Sequence, residues 1–366
     1  MPPQAQHPQP TWRYTSRQRR KELTSMAFED SLEGVYCTQN PPLAPHPRPD
    51  LSMTDPIHPR SPDSREMDAA LGRLLAPPGS SQPAPSTVRN LKVSLREERG
   101  QLWCAGPYGA PEGAVLALPR PGKIEMLLTT PLGPADNPQP TGLCLQAALA
   151  AGRKSRNHLT QLVHLPEAVG TAEAAKFAGM EWLAELQFLR TPSVPEPMDT
   201  PSGNPQNKRC IEWCLCEKMG RKDLQDLLLQ TYVDAKDCPG LRGRREPKDI
   251  LIGHEASGIN HHWVAAQMNN ECIGVLLLAE SPERHLLQVL YVGIVPKHRG
   301  KSLGQHFMKY AYDKAIAQKL PLSLHVDRQN TPALKLYHRF GLQARESRVA
   351  WIADIRKPNP STRPNT

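Results

Sequence analysis

The sequence predicts an α/β protein in which two copies of one fold follow a long proline-rich segment. Three observations lead to this prediction. Apolar strands alternate with amphipathic helices from Gly100 onward, and the second half repeats the first at a constant offset. In addition, 16 of the 39 prolines fall in residues 1–87, where no periodic apolar run occurs. Such a composition cannot bury enough surface to offset chain entropy, so we expect no fold there.

The repeat becomes visible when the second half is shifted back by 162 residues. Pro296 then falls on Pro134, Gly304 on Gly142, Leu324 on Leu162 and Gly341 on Gly179. The order of predicted strands and helices agrees over the same span. We therefore expect two copies of one fold, the first lacking the opening strand and helices of the second.

Composition shifts divide the chain into five segments. The stretch from Thr191 to Lys208 is rich in Pro, Ser, Asn and Gly, which is typical of a linker. The expected segments are a disordered tail (1–90), a degenerate and truncated unit (91–190), the linker (191–208), a complete unit (209–356) and a loose tail (357–366).

Charge and cysteine usage limit the classes of function. The formal charge of +9 suits anionic partners such as phosphorylated cofactors, acidic lipid or nucleic acid. Only Trp12 and Tyr14 accompany the basic residues from Arg13 to Lys21, so a nucleic-acid arm is disfavoured. No apolar run is long enough to span a membrane, and the cysteine spacing does not favour a metal site. We expect a cytoplasmic protein and leave its oligomeric state open.

The segment from Val289 to Ala311 has the pattern of an anion site. A buried strand ends at Val295, and a short turn containing Gly300 and Ser302 opens a long helix. The first turn of a helix has unpaired N–H groups, and small residues let a bulky anion approach them. Arg299, Lys301 and Gly304 complete the turn. The alternative is an ordinary turn with solvated basic residues.

A second segment, Leu324 to Leu342, places a tyrosine near this site. Asn330 is a natural N-cap, and Gly341 ends the predicted helix. Tyr337 lies about two helical turns after Asn330, so both can face one groove. Tyr337 is a candidate proton donor, although a core aromatic is the alternative.

At these residues the sequence resembles the GNAT superfamily of N-acetyltransferases. The family's acyl-CoA pattern Arg/Gln-x-x-Gly-x-Gly/Ala is matched by 299–304, with Ser302 in place of a family glycine. Asn330, Ala333 and Tyr337 match its second signature. The resemblance covers about 211–355, and the tandem arrangement resembles that of mycothiol synthase relatives.

The resemblance implies a mixed, splayed sheet and acetyl-CoA as co-substrate, without a metal. The pantetheine arm would bond to the main chain of one strand, where Gly293 would permit a bulge. A small-molecule or peptide amine would attack the thioester directly, and Tyr337 would protonate the departing thiolate. The second unit is expected to bind acetyl-CoA on its own. The implied cofactor-binding residues are Val292, Ile294, Arg299, Gly300, Lys301, Ser302, Leu303, Gly304 and Asn330.

The general base is left unassigned by the sequence. Where many family members have a glutamate on the central strand, this chain has Gln288, which cannot take a proton. Three alternatives stay open: a water chain from Gln288 to Glu280 or Glu283, His285 as the base, or an acceptor amine that arrives already neutral. The alternative function is therefore a non-catalytic acyl-CoA-binding sensor or adaptor.

Two further expectations concern the first unit and a basic loop. The first unit has Asn137, Pro140, Ala168 and Ala175 where the second has Arg299, Ser302, Asn330 and Tyr337, so it is expected to be catalytically silent. Arg242, Arg244 and Arg245 would draw an acceptor that carries a carboxylate or phosphate. A solvated loop is the alternative reading of those arginines.

Overall fold

The computed structural model describes residues 57–76, 85–197, 211–282 and 284–357. The expectations for residues 1–56, for most of the linker, for Glu283 and for 358–366 lie outside these residues. Among the described helices, none is both long and apolar enough to cross a membrane.

Each unit is a sequence of strands and helices in the predicted order. The first contains α1 (Met67–Arg73), α2 (Pro85–Glu97), β1 (Gln101–Ala105), β2 (Gly113–Arg120), β3 (Ile124–Thr129), α3 (Gln139–Gly152), β4 (Leu159–His164), α4 (Val169–Phe177) and β5 (Glu181–Arg190). The second contains β6 (Glu212–Leu215), α5 (Arg221–Tyr232), α6 (Pro247–Glu255), β7 (Ile259–Met268), β8 (Glu271–Ser281), β9 (Leu286–Ile294), α7 (Gly304–Gln318), β10 (Leu322–Asp327), α8 (Thr331–Arg339) and β11 (Gln343–Asp354). Three 3₁₀ turns lie at Cys216–Lys218, Pro239–Leu241 and Pro296–His298.

The predicted repeat is confirmed as a repeat of structure. At the offset of 162 residues, both ends of α8 fall on the ends of α4. Strand β10 falls within one residue of β4. The repeated prolines and glycines therefore stand at equivalent ends of equivalent elements.

The first unit is more complete than the sequence suggested. Helix α1 lies inside the expected tail, and the expected boundary at residue 91 falls within α2. At the offset of 162, α2 begins where α6 begins, because Pro85 corresponds to Pro247. Leu71 and Leu91 are buried in the same cluster as strand residues of the sheet. The expectation of missing helices was wrong because prolines were counted as a sign of disorder. Proline is also favoured in the first turn of a helix, which is where Pro85 lies.

All eleven described strands form one sheet, and the two units exchange their last strands. The order is β1-β2-β3-β4-β11-β5-β10-β9-β8-β7-β6, so β11 pairs with β4 and β5 pairs with β10. The pair Val349–His164 repeats, at the offset, as Gln187–Val326. Leu186 pairs with Arg348, its own counterpart in the repeat, so the exchange has local twofold symmetry.

The parallel strands of each unit separate partway along their length. Pairing between β9 and β10 ends at Val289 and Leu324, while β9 continues to Ile294. The bulge in β9 is at Leu290, because Tyr291 faces Leu277 and Val289 faces Leu278. The expected bulge at Gly293 was therefore wrong. Gly293 serves close packing instead, since a Cβ there would lie 2.6 Å from Thr231 Cβ on α5.

Candidate active site

A slot opens between β9 and β10 where the two strands separate. The N–H of Val295 donates to Ile273 O on β8, at 3.0 Å. Because main-chain groups alternate in direction along a strand, those of Val292 and Ile294 point away from β8 and into the slot. An extended ligand can therefore bond to this edge as an added strand.

The slot leads to the turn that opens α7. Gly300 has φ 73° and Ser302 has φ 58°, and the helix begins at Gly304. Leu303 occupies the N-cap without a side-chain capping bond, and the first turn has no acidic residue. A Cβ added at Gly300 would have no neighbour within 4 Å, so the turn presents an open surface. Unpaired N–H groups beside an open surface fit the pyrophosphate of an acyl-CoA.

Arg299 holds this turn in place through its side chain. Its Nε donates to Ile294 O at 2.8 Å, and its Nη2 donates to Thr231 O at 2.8 Å. The guanidinium thus ties the end of β9 to the end of α5. Its expected contact with the cofactor stays a prediction. Lys301 lies exposed on the same turn.

Helix α8 brings Asn330 and Tyr337 to the slot. Asn330 is the N-cap, as predicted, but its side chain makes no capping bond and lies beside the Asp237 carboxyl. Tyr337 is only 7% exposed, and its hydroxyl has no hydrogen-bond partner among the described residues. Burial raises the pKa of Tyr337, and the negative charge of Asp237 raises it further. The phenol therefore keeps its proton at neutral pH and can donate it.

Two residues that the sequence did not nominate, Asp237 and His325, line the cleft around the slot. Both are exposed to solvent. Nevertheless, desolvation by the surrounding protein raises the pKa of Asp237 and lowers the pKa of His325 to about 4. Side chains that are both accessible and desolvated lie on a concave surface. Sequence reasoning missed them because no motif marks either residue.

The first unit supplies one wall of this cleft. The ring of Phe188 on β5 lies 3.9 Å from the ring of His325, centroid to centroid. These residues are register partners across the strand exchange, so they lie on the same face of the sheet. Gln288 lies on that face too, because its register partner Ser323 is two residues from His325. The cleft thus includes a side chain from each unit.

Two of the nominated replacements for the missing base, Glu280 and His285, lie away from the slot. The two carboxylate oxygens of Glu280 accept bonds from Asn260 Nδ2 at 2.7 Å and Gln318 Nε2 at 3.0 Å. His285 precedes the first residue of β9, at the end opposite to the slot. Leu290 is five residues further along the chain, a distance of roughly 17 Å. Gln288 lies between these positions and has no acid–base function.

The basic loop forms contacts within the protein. Arg242 pairs with Asp234 at 3.4 Å, and Arg244 pairs with Glu181 on β5. Arg245 donates to the main-chain carbonyl of Asp249 at 3.2 Å. Each arginine thus has an intramolecular partner, and the expected attraction of an anionic acceptor stays a prediction.

In the first unit the corresponding slot is closed. The N–H of Leu132 donates to Thr171 Oγ1 at 2.9 Å, and Leu132 O accepts the N–H of Gly170 at 3.1 Å. Gly170 permits this contact, because a Cβ there would lie 2.5 Å from Gly133 O. Leu132 corresponds to Ile294 at the offset of 162. Its main-chain groups are therefore occupied by α4 and cannot bind a ligand.

One group of potential metal ligands lies where the two units meet. Single ligand atoms of His158, Glu246 and Asp249 lie within 4.8 Å of one another. However, Lys123 Nζ is 3.3 Å from Asp249 Oδ2 and 3.4 Å from His158 Nε2. A lysine ammonium in that position opposes a metal cation, so these contacts join β3 and β4 to α6 by ion pairing.

The second unit matches a known family. The model of the acetyltransferase (GNAT) family matches residues 223–342. This span contains the slot, the turn before α7 and both Asn330 and Tyr337. A search among curated proteins gave no match.

Two solved structures of low identity align with most of this chain. A GCN5-related N-acetyltransferase from Sphaerobacter thermophilus is 15% identical with a TM-score of 0.49, covering 84% of this chain and 98% of its own. A tandem GNAT protein from the clavulanic acid biosynthesis pathway is 13% identical with a TM-score of 0.44, covering 82% and 98%. Likenesses this distant carry no argument about activity. The match of residues 223–342 to the model of the acetyltransferase (GNAT) family is therefore the comparison that bears on the function of this chain.

Proposed function

We propose that this protein is an acetyl-CoA-dependent N-acetyltransferase that transfers the acetyl group to a primary amine by direct attack on the thioester. The acceptor would be a small molecule or a peptide. The second unit would carry the chemistry, and the first would complete the acceptor cleft through Phe188.

The contrast between the two slots carries this proposal. In the first unit, Gly170 and Thr171 close the slot by hydrogen bonds to Leu132. At the offset of 162, the second unit has Pro332 and Ala333 in their places. Proline has no N–H and alanine has no hydroxyl, so neither can make the closing bonds. The main-chain groups of Val292 and the N–H of Ile294 thus remain available for a pantetheine arm, while Ile294 O accepts the bond from Arg299 Nε.

The residues around the slot fit distinct roles in the transfer. The main-chain groups of Val292 and the N–H of Ile294 would orient the pantetheine arm, and the N–H groups at the start of α7 would hold the pyrophosphate. Tyr337 would donate its proton to the thiolate as the carbon–sulfur bond breaks, because its raised pKa keeps it protonated.

The proposal is tested with full-length protein, acetyl-CoA and a panel of amines comprising spermidine, kanamycin and a lysine peptide. Release of free CoA is measured by chromatography. Tyr337→Phe should lower kcat by about 100-fold or more and leave acetyl-CoA binding intact, because it removes the acid alone. Tyr312→Phe is the matched control, since Tyr312 is a buried tyrosine of the core beside Phe340. Equal kcat values for Tyr337→Phe and the parent protein would contradict the role of Tyr337.

A non-catalytic acyl-CoA sensor is the second candidate, favoured by the glutamine at position 288. A sensor would show thermal stabilisation by acetyl-CoA without CoA release in the presence of any acceptor. An acetyltransferase would show both. If acetyl-CoA at millimolar concentration gives neither response, both candidates are wrong.

A further inference from the structure

The carboxylate of Asp237 is held at the open end of the β9–β10 slot. Its Oδ1 accepts the main-chain N–H of Asp327, the last residue of β10, at 2.8 Å. The side-chain amide of Asn330, the N-cap of α8, lies beside this carboxyl and partly offsets the rise in its pKa. Asp237 therefore sits where the helix that carries Tyr337 begins. It reaches this position from the segment between α5 and the 3₁₀ turn at Pro239–Leu241.

Asp237 and its neighbour Asp327 have different environments. Asp327 is 1% exposed, and its two carboxylate oxygens accept the N–H groups of Gln329 at 2.9 Å and Cys238 at 3.2 Å. Both carboxylate oxygens of Asp327 are thus occupied by main-chain N–H groups. Asp237 is exposed to the cleft instead. Of the two carboxylates, Asp237 is the one that a ligand in the cleft can touch.

We propose that Asp237 is the general base that takes the proton from the acceptor amine, an inference that rests on the proposed N-acetyltransferase function. An N–H bond of the acceptor ammonium breaks, and its proton moves to the Asp237 carboxylate. The freed nitrogen lone pair forms the N–C bond with the acetyl carbonyl carbon. As the C–S bond breaks, the thiolate takes the Tyr337 proton. Tyr337 regains a proton from the nitrogen through water, and Asp237 returns its own to solvent.

The surroundings of Asp237 suit this role. Desolvation raises its pKa, and the negative charge of Asp327 raises it further. A carboxylate with a raised pKa is a better proton acceptor near neutral pH than an ordinary aspartate. The titratable groups around it are Tyr232 on α5, Cys238 beside it, Tyr291 on β9, Asp327 on β10 and Tyr337 on α8. The positive charge of Arg245 works to lower the pKa of Tyr232, and that of Arg299 works to lower the pKa of Tyr291.

The tyrosines and the cysteine near Asp237 keep the same protonation state across neutral pH. Burial raises the pKa of each of the three tyrosines and of Cys238, so all four stay uncharged. His325, the other accessible group in the cleft, is a poorer candidate. Burial and the positive charge of Arg284 lower its pKa to about 4, which makes it a weak acceptor for an ammonium proton.

The test uses full-length protein and the amine of the same panel that gives most CoA release. Asp237→Asn keeps an oxygen that can accept the Asp327 N–H, so the loop should stay in place. We expect kcat to fall by about 100-fold or more, with the KM for acetyl-CoA within about twofold of the parent. The rising limb of kcat with pH should disappear as well. Asp234→Asn, in the same loop and paired only with exposed Arg242, is the control and should match the parent.

A second measurement needs no variant. In wild-type protein the rising limb of kcat should lie above about pH 4, the ordinary aspartate value, and stay fixed when the acceptor is exchanged for one of different amine pKa. A limb that moves with the acceptor, or that His325→Gln removes, overturns the assignment. So does a folded Asp237→Asn protein with the parent kcat. If wild type releases no CoA, the proposed function fails first, and this inference fails with it.

Discussion

Ser302 adopts a backbone conformation that suits glycine. Its φ of 58° lies in the left-handed region, where a Cβ costs about 1–2 kcal/mol. The sequence shows Ser302 in place of a glycine of the family pattern, but residue identity alone does not show the strain in φ.

This strain gives the first prediction. Ser302→Gly should raise the melting temperature, while Ser302→Ala should not, because alanine removes the hydroxyl and keeps the strained φ. Acetyl-CoA affinity should be equal or higher in the glycine variant, since the N–H groups of the turn remain. Differential scanning fluorimetry with and without acetyl-CoA measures both effects. Equal stabilisation by alanine and glycine would mean that the hydroxyl, and not φ, is unfavourable.

At the residue scale, the positions of small residues and helix caps could be predicted from the sequence, whereas the contact partners of long side chains could not. Gly300 and Asn330 stand where their patterns placed them. Arg299 was assigned a ligand contact, yet its guanidinium bonds to two carbonyls, one of which belongs to a helix 68 residues earlier. Such partners depend on tertiary contacts that local spacing does not encode. Asp237 was missed for the same reason.

Among the elements, α8 decides whether the slot is open. Its counterpart α4 closes the first slot through the Thr171 hydroxyl, and α8 has Ala333 at that position. The bounds of both helices follow from their sequence patterns. Whether each helix bonds to the edge of the neighbouring strand does not follow from those patterns, because it depends on how closely the helix approaches the sheet.

The second prediction is that Ala333→Thr lowers acetyl-CoA affinity by about fivefold. The new hydroxyl would compete for the N–H of Ile294, and one such bond contributes about 1 kcal/mol. Lys335→Thr is the matched control, because Lys335 is exposed on the same helix. Isothermal titration calorimetry gives the two dissociation constants. An Ala333→Thr protein that binds as tightly as the Lys335→Thr protein would show that the slot edge does not take part in binding.

On the scale of the whole molecule, the strand exchange makes the units interdependent. Strand β11 lies between two strands of the first unit, and β10 has β5 as a neighbour. From the sequence we expected two units that each fold with their own strands. The alternation of apolar residues in a strand does not show which of two equivalent strands it pairs with, so the exchange could not be predicted. The expectation that the second unit binds acetyl-CoA alone was based on that independence.

The last prediction follows from the exchange. A fragment of residues 211–357 should aggregate or dimerise, because without β4 and β5 its strands β10 and β11 expose unpaired main-chain edges. Expressed together with residues 57–197 as a separate chain, it should form a one-to-one complex, since the exchange itself needs no covalent linker. Size-exclusion chromatography gives the assembly state, and a melting shift with acetyl-CoA reports the restored slot. A monomeric 211–357 fragment with a cooperative melt and the full acetyl-CoA response would show that β11 can pair within its own unit, and that Phe188 is not needed to build the cofactor slot.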